Sequence, residues 1–145
     1  MADDEMNVGL LMFIAYRSME ERIYAALAEA GYGDVSVAQG RLAGRLAPQG
    51  SRITELAEQA QVTKQTAGFL VDQLERAGYV ERTPDPSDGR ARLVRLSPRG
   101  REMADYSNEI AHAVQDEWAA HLGARRMRNL REALTHLRDI TDPYA

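Results

Sequence analysis

Four arginines fall within RTPDPSDGRARLVRL, residues 82–96, around a turn that two prolines stiffen. A guanidinium is always charged and offers a planar fork of donors to phosphates and base edges. Several on one short segment point to a polyanion rather than to proton-transfer chemistry. The charge balance sharpens this. The 145-residue chain has a formal net charge of −4. Residues 76–101 nevertheless carry seven arginines against Glu81, Asp85 and Asp88, a local +4 that leaves −8 for the remainder. A basic island in an acidic chain implies one anionic partner held at one place.

A second short run has matching chemistry. In TKQT, residues 63–66, Gln65 can bond adenine with two hydrogen bonds and Lys64 can reach guanine or a phosphate. Thr63 and Thr66 complete a small polar cluster. Such residues belong at the N-terminal end of a helix that enters a major groove, where the helix dipole also favours phosphate. Ser51, at the expected start of the preceding helix, is counted with the same interface. Arg90, nearest the hairpin tip, suits the narrow minor groove, where the negative potential is concentrated. Arg82 and Arg92, on the flanking strands, suit phosphates. Asp88, two residues before Arg90, is placed to hydrogen-bond that arginine and fix its direction.

Other chemistries find little support. There is no cysteine, which removes disulfides, thiol nucleophiles and cysteine-bound zinc. There is no H-E-x-x-H, G-x-S-x-G or P-loop, and GYGD at 31–34 lacks the third glycine of a dinucleotide fingerprint. No enzyme, cofactor or resident metal is expected. His112 and His121 lie near Asp116 and Glu117, so a metal-responsive regulator is one alternative. The other is a winged helix used only for protein contacts, which would have no need of concentrated arginine. The acidic N-terminus does not read as a secretory signal. No apolar run approaches the length of a membrane span, so a cytoplasmic chain is expected.

The elements that must hold these residues can be read from apolar spacing. Residues 6–30 are expected as a long helix, ended by GYGD, and 36–46 as a shorter one. Ser51 should cap a helix burying Ile53, Leu56, Ala57 and Ala60. Thr63 should cap the next, with Ala67, Leu70, Val71, Leu74 and Ala77 inward and Gly78 stopping it. Two short helices joined by a tight turn are a helix-turn-helix. YVERT (79–83) and ARLVRL (91–96) have strand character, and PDPSDGR (84–90) reads as a turn kept out of the ladder by its prolines. Ser97 and Pro98 should open a long helix to about 121. Gly123 then breaks the chain before a last helix carrying Met127, Leu130, Leu134 and Leu137, with Pro143 closing it.

From about residue 53 to residue 100 the sequence resembles the MarR family of bacterial transcription regulators. LVDQLERAGYVER and then DPSDGRARLVRLSPRG, with its D-x-R core at Asp88 and Arg90, carry the resemblance in order and at the right spacing. It implies a mainly α fold with a small β-wing: a winged helix-turn-helix at about 35–100, and dimerisation helices at about 5–32 and 98–142, within one domain spanning 1–145. It implies a ligand-responsive repressor that binds a palindromic operator in double-stranded DNA as a homodimer. The apolar stripes of the terminal helices, too large for the winged helix alone to cover, agree. The resemblance also implies a small aromatic or phenolic ligand between the dimerisation and DNA-binding parts, where Tyr16, Arg17, Tyr24 and His112 are the candidate lining residues.

Overall fold

The computed structural model describes residues 5–142. Six helices and one hairpin follow in the order α1 (Val8–Glu29), α2 (Val37–Ala43), α3 (Ile53–Ala60), α4 (Lys64–Arg76), β1 (Val80–Asp85), β2 (Asp88–Leu96), α5 (Pro98–Leu122) and α6 (Ala124–Thr141). The mainly helical, small-wing architecture expected of the sequence is the one observed. Pro143 lies outside the described residues.

Local chemistry accounts for most boundaries. Asn7, Ser36, Thr63 and Ser97 each accept a backbone N–H at a helix start, and Gln39 completes a capping box with Ser36. Gly78, at φ +84°, takes the left-handed turn out of α4 that a residue with a Cβ would resist. The start of α3 differs from expectation. Its N-cap is Arg52, which makes no side-chain cap, while Ser51 lies one residue earlier and 3% exposed. Ser51 instead exchanges two 2.8 Å backbone hydrogen bonds with Val94 of β2, and its hydroxyl accepts from the Ala47 N–H at 3.0 Å. It ties the loop before α3 to the wing.

The core is assembled from α2, α3, α4 and the hairpin. Leu42, Leu56, Val71, Leu74, Tyr79 and Val94 are buried at its centre, and Leu27 of α1 and Met103 of α5 close it from the side. Tyr79 is anchored at its rim. Its hydroxyl meets Asp34 and accepts from Arg99, whose guanidinium lies 4.5 Å from the ring centroid. The α1 and α5 helices pack against each other and are joined by an Arg22–Glu117 ion pair.

Candidate nucleic-acid interface

The N-terminal end of α4 is open to solvent. Thr63, Lys64, Gln65 and Thr66 are all exposed. The Thr63 hydroxyl accepts the Thr66 N–H at 3.0 Å and donates to the Thr66 hydroxyl at 2.9 Å, so these two side chains are fixed by the cap. Lys64 and Gln65 have no side-chain partner among the described residues. The buried stripe of Ala67, Leu70, Val71 and Leu74 seats the helix on the core and leaves this end projecting.

The hairpin is longer than its sequence suggests. The strands pair from Val80 opposite Leu96 up to Asp85 opposite Asp88, with an irregularity at Pro84/Asp85. Pro84 is a ladder residue opposite Arg92, and the turn itself is only Pro86 and Ser87. The expected seven-residue loop is therefore mostly strand. Proline is tolerated there because the hairpin has two strands only and Pro84 lies on β1, whose outer edge is unpaired among the described residues, so that a missing N–H costs nothing. Arg90 lies within β2, just behind the tip.

Asp85 shapes that tip. Its carboxylate accepts from the Ser87 N–H at 2.9 Å, from the Ser87 hydroxyl at 2.8 Å and from Arg52 at 2.6 and 2.8 Å. These bonds to Ser87, then to Arg52, hold its pKa down at about 2. Asp88 does not hold the guanidinium of Arg90, as its spacing suggested. It accepts the Arg90 backbone N–H at 3.1 Å, an Asx turn that sets the chain direction and leaves the side chain free.

The arginines fall into two groups. Arg82 bridges Asp72 at 2.8 Å and Glu75 at 2.6 Å, which locks the wing onto α4. Arg95 pairs with Glu81 at 2.8 Å, and Arg52 with Asp85. Arg90 and Arg92 are exposed and have no partner among the described residues. The phosphate role expected of Arg82 thus falls on a side chain already held by two carboxylates. Arg52 was missed by sequence reading, because its partner lies 33 residues away.

Residues 34–91 match the MarR family model. The HTH-type transcriptional regulator YdgJ of Bacillus subtilis is 36% identical over 67 residues, which make up 46% of this chain and 41% of that protein. The match thus spans less than half the length of the curated relative. This segment therefore resembles the winged helix of MarR-family regulators. Solved structures extend the likeness along the chain. The MarR-family protein Rv2887 of Mycobacterium tuberculosis, solved with salicylic acid, is 28% identical with a TM-score of 0.65, covering 94% of this chain and 99% of that one. A mutant MepR from a multidrug-resistant clinical isolate of Staphylococcus aureus, at 21% identity, shares the fold with a TM-score of 0.75 over 93% of this chain and 97% of that one.

Beside the winged helix the chain has a cavity of about 400 Å³ between α1, α2 and α5. Tyr16 and Tyr24 line it. Arg17 and His112 do not; Arg17 turns to Glu20 and Glu21, and His112 is exposed on α5. The cavity's charged residues are Glu20 and Arg41, neither of which was anticipated. Glu20 is 3% exposed and accepts two bonds from Arg41, at 3.0 and 3.1 Å, and one from Arg17 at 3.1 Å. Burial pushes its carboxyl pKa up, but Arg41, Tyr16 and Arg17 outweigh that and hold it below the usual range. Burial and the nearby Glu20 charge raise the Tyr16 and Tyr24 hydroxyls. Gly40 is where α2 meets Tyr24: a Cβ there would fall 1.9 Å from the phenol oxygen.

Among the described residues no three His, Asp or Glu side chains gather as a metal site. Glu117, one of the four residues of the suggested metal cluster, is committed to Arg22. No described helix is long and apolar enough to cross a membrane.

Proposed function

We propose that this chain is a sequence-specific repressor that binds a palindromic operator as a homodimer and is released by a small aromatic acid. The observation that carries the reading is the pair of open cationic elements, Lys64–Gln65 at the start of α4 and Arg90–Arg92 on the wing, set on one rigid core. In this reading Thr63, Lys64, Gln65 and Thr66 enter the major groove. Arg90 enters the adjacent minor groove, and Arg92 meets phosphate. Arg82, Asp88 and Ser51 act by holding these groups in place.

Uncovered apolar surface supports the homodimer. Leu11, Phe13 and Ile14 of α1 stand about half exposed, and α6 has no buried residue at all. A second groove of about 310 Å³ runs between Met19, Trp118, Met127, Leu130 and Leu134. A second copy covering these faces gives the two-fold axis that a palindrome mirrors. The ligand reading rests on the Arg41 cavity. An aromatic carboxylate there would compete with Glu20 for the guanidinium, and the salicylic acid held by the Mycobacterium tuberculosis protein fits that chemistry. A chromosomal operator requires a cytoplasmic chain.

The test is a gel shift with random genomic fragments, repeated with salicylate and related acids present. Retardation of fragments sharing a palindrome, relieved by an acid that also raises the melting temperature, is the expected result. No retarded fragment would contradict the regulator reading. Retardation that no acid relieves would remove the inducer alone.

A further inference from the structure

One large apolar side chain is out of place. Phe69 of α4 is 61% exposed, and the other exposed large apolar residues among the described ones all lie on α1 and α6. It falls off the stripe that seats α4 on the core. It follows Gln65 by four residues and Thr66 by three, so it shares their outward face one turn further along. Beside it, Gly68 weakens the helix with no packing reason: a Cβ built there meets no atom within 4 Å. The result is a projecting ring next to a bare strip of backbone, on a face whose first carboxylate, Asp72, is already engaged by Arg82.

Resting on the DNA-binding reading, we infer that Phe69 is a specificity-determining residue whose ring contacts the 5-methyl group of a thymine in the major groove. Thymine is the base whose major-groove edge carries an apolar group. Gly68 lets the groove wall come close enough for the ring to reach it. Gln65 then reads its bases by hydrogen bonds and Phe69 reads a neighbouring one by its methyl.

The experiment uses the full chain and the duplex it selects from a randomised pool. Each thymine is replaced singly by deoxyuridine, which removes only the methyl. Wild type should lose about threefold to fivefold in affinity at one thymine per half-site, the worth of one buried methyl. Phe69→Ala should bind that duplex more weakly, be indifferent to the same replacement, and melt at the wild-type temperature. Identical deoxyuridine profiles for both proteins would overturn the inference and leave the regulator reading intact. A wild-type chain that selects no sequence would overturn both.

Discussion

On and beside the wing, Arg82, Arg95 and the α3 cap residue Arg52 each meet a carboxylate, while Arg90 and Arg92 meet none among the described residues. On α1 and α6 it is apolar side chains that stand uncovered, Phe13 at 55% exposure and Ile140 at 85%. The core between them leaves neither kind of group open: Leu56, Val71, Leu74 and Tyr79 are fully buried. Each region's unmet chemistry matches a different partner. Free guanidinium charge suits a densely anionic duplex, and bare apolar surface suits a second protein chain. The locked arginines set the geometry in which the free ones are presented.

The largest effect is expected at α6. Deleting residues 124–145 removes one apolar face and strips the cover from Met19 and Trp118. Aggregated or unfolded protein is expected by sedimentation and circular dichroism. A soluble, folded, monomeric truncation would mean that these faces need no partner.

Separating the wing's two groups gives the next largest effect. Asp85→Ala leaves Arg52 without its acceptor and Ser87 without its turn, and should lower the melting temperature by about 5 °C and weaken DNA binding. Its pH dependence has a definite sign. The folded pKa of about 2 lies below the unfolded value of 3.8. The stabilisation is therefore fully present above pH 4 and lost as pH falls towards 2. Wild type should lose melting temperature across that window more steeply than Asp85→Ala does. Parallel acid profiles would show that the clasp adds nothing.

A smaller effect is expected at Asp88. Its replacement by alanine frees one backbone N–H and loosens the approach to Arg90, so operator affinity should fall modestly with little change in melting. A loss larger than that of Arg90→Ala would show that Asp88 does more than set the turn.

Much of this was legible in the sequence because it is local. The Thr63 cap, the inward stripe of α4, Gly78, and the Ser97–Pro98 start of α5 each depend on neighbours a few residues apart. The roles that were missed depend on distant ones. Arg52 finds Asp85, and Arg41 finds Glu20, only once the chain has folded, and no periodicity marks such pairs. Ser51 had the right residue type for a cap but is drawn into the wing's ladder. Arg17 and His112 had suitable chemistry on the expected helices but do not line the cavity. Phe69 lies off the apolar stripe of α4 and was not singled out, because an exposed aromatic is visible only once the helix is seated.

If the open arginines of the wing grip DNA, Arg90→Ala removes the one nearest the tip. Binding of wild type and variant is titrated with salt on one specific and one scrambled duplex, beside a melting curve. A sharp loss on the specific duplex, a salt slope smaller by about 1, and an unchanged melting temperature are expected. Wild-type affinity on both duplexes across the whole salt range would contradict that grip.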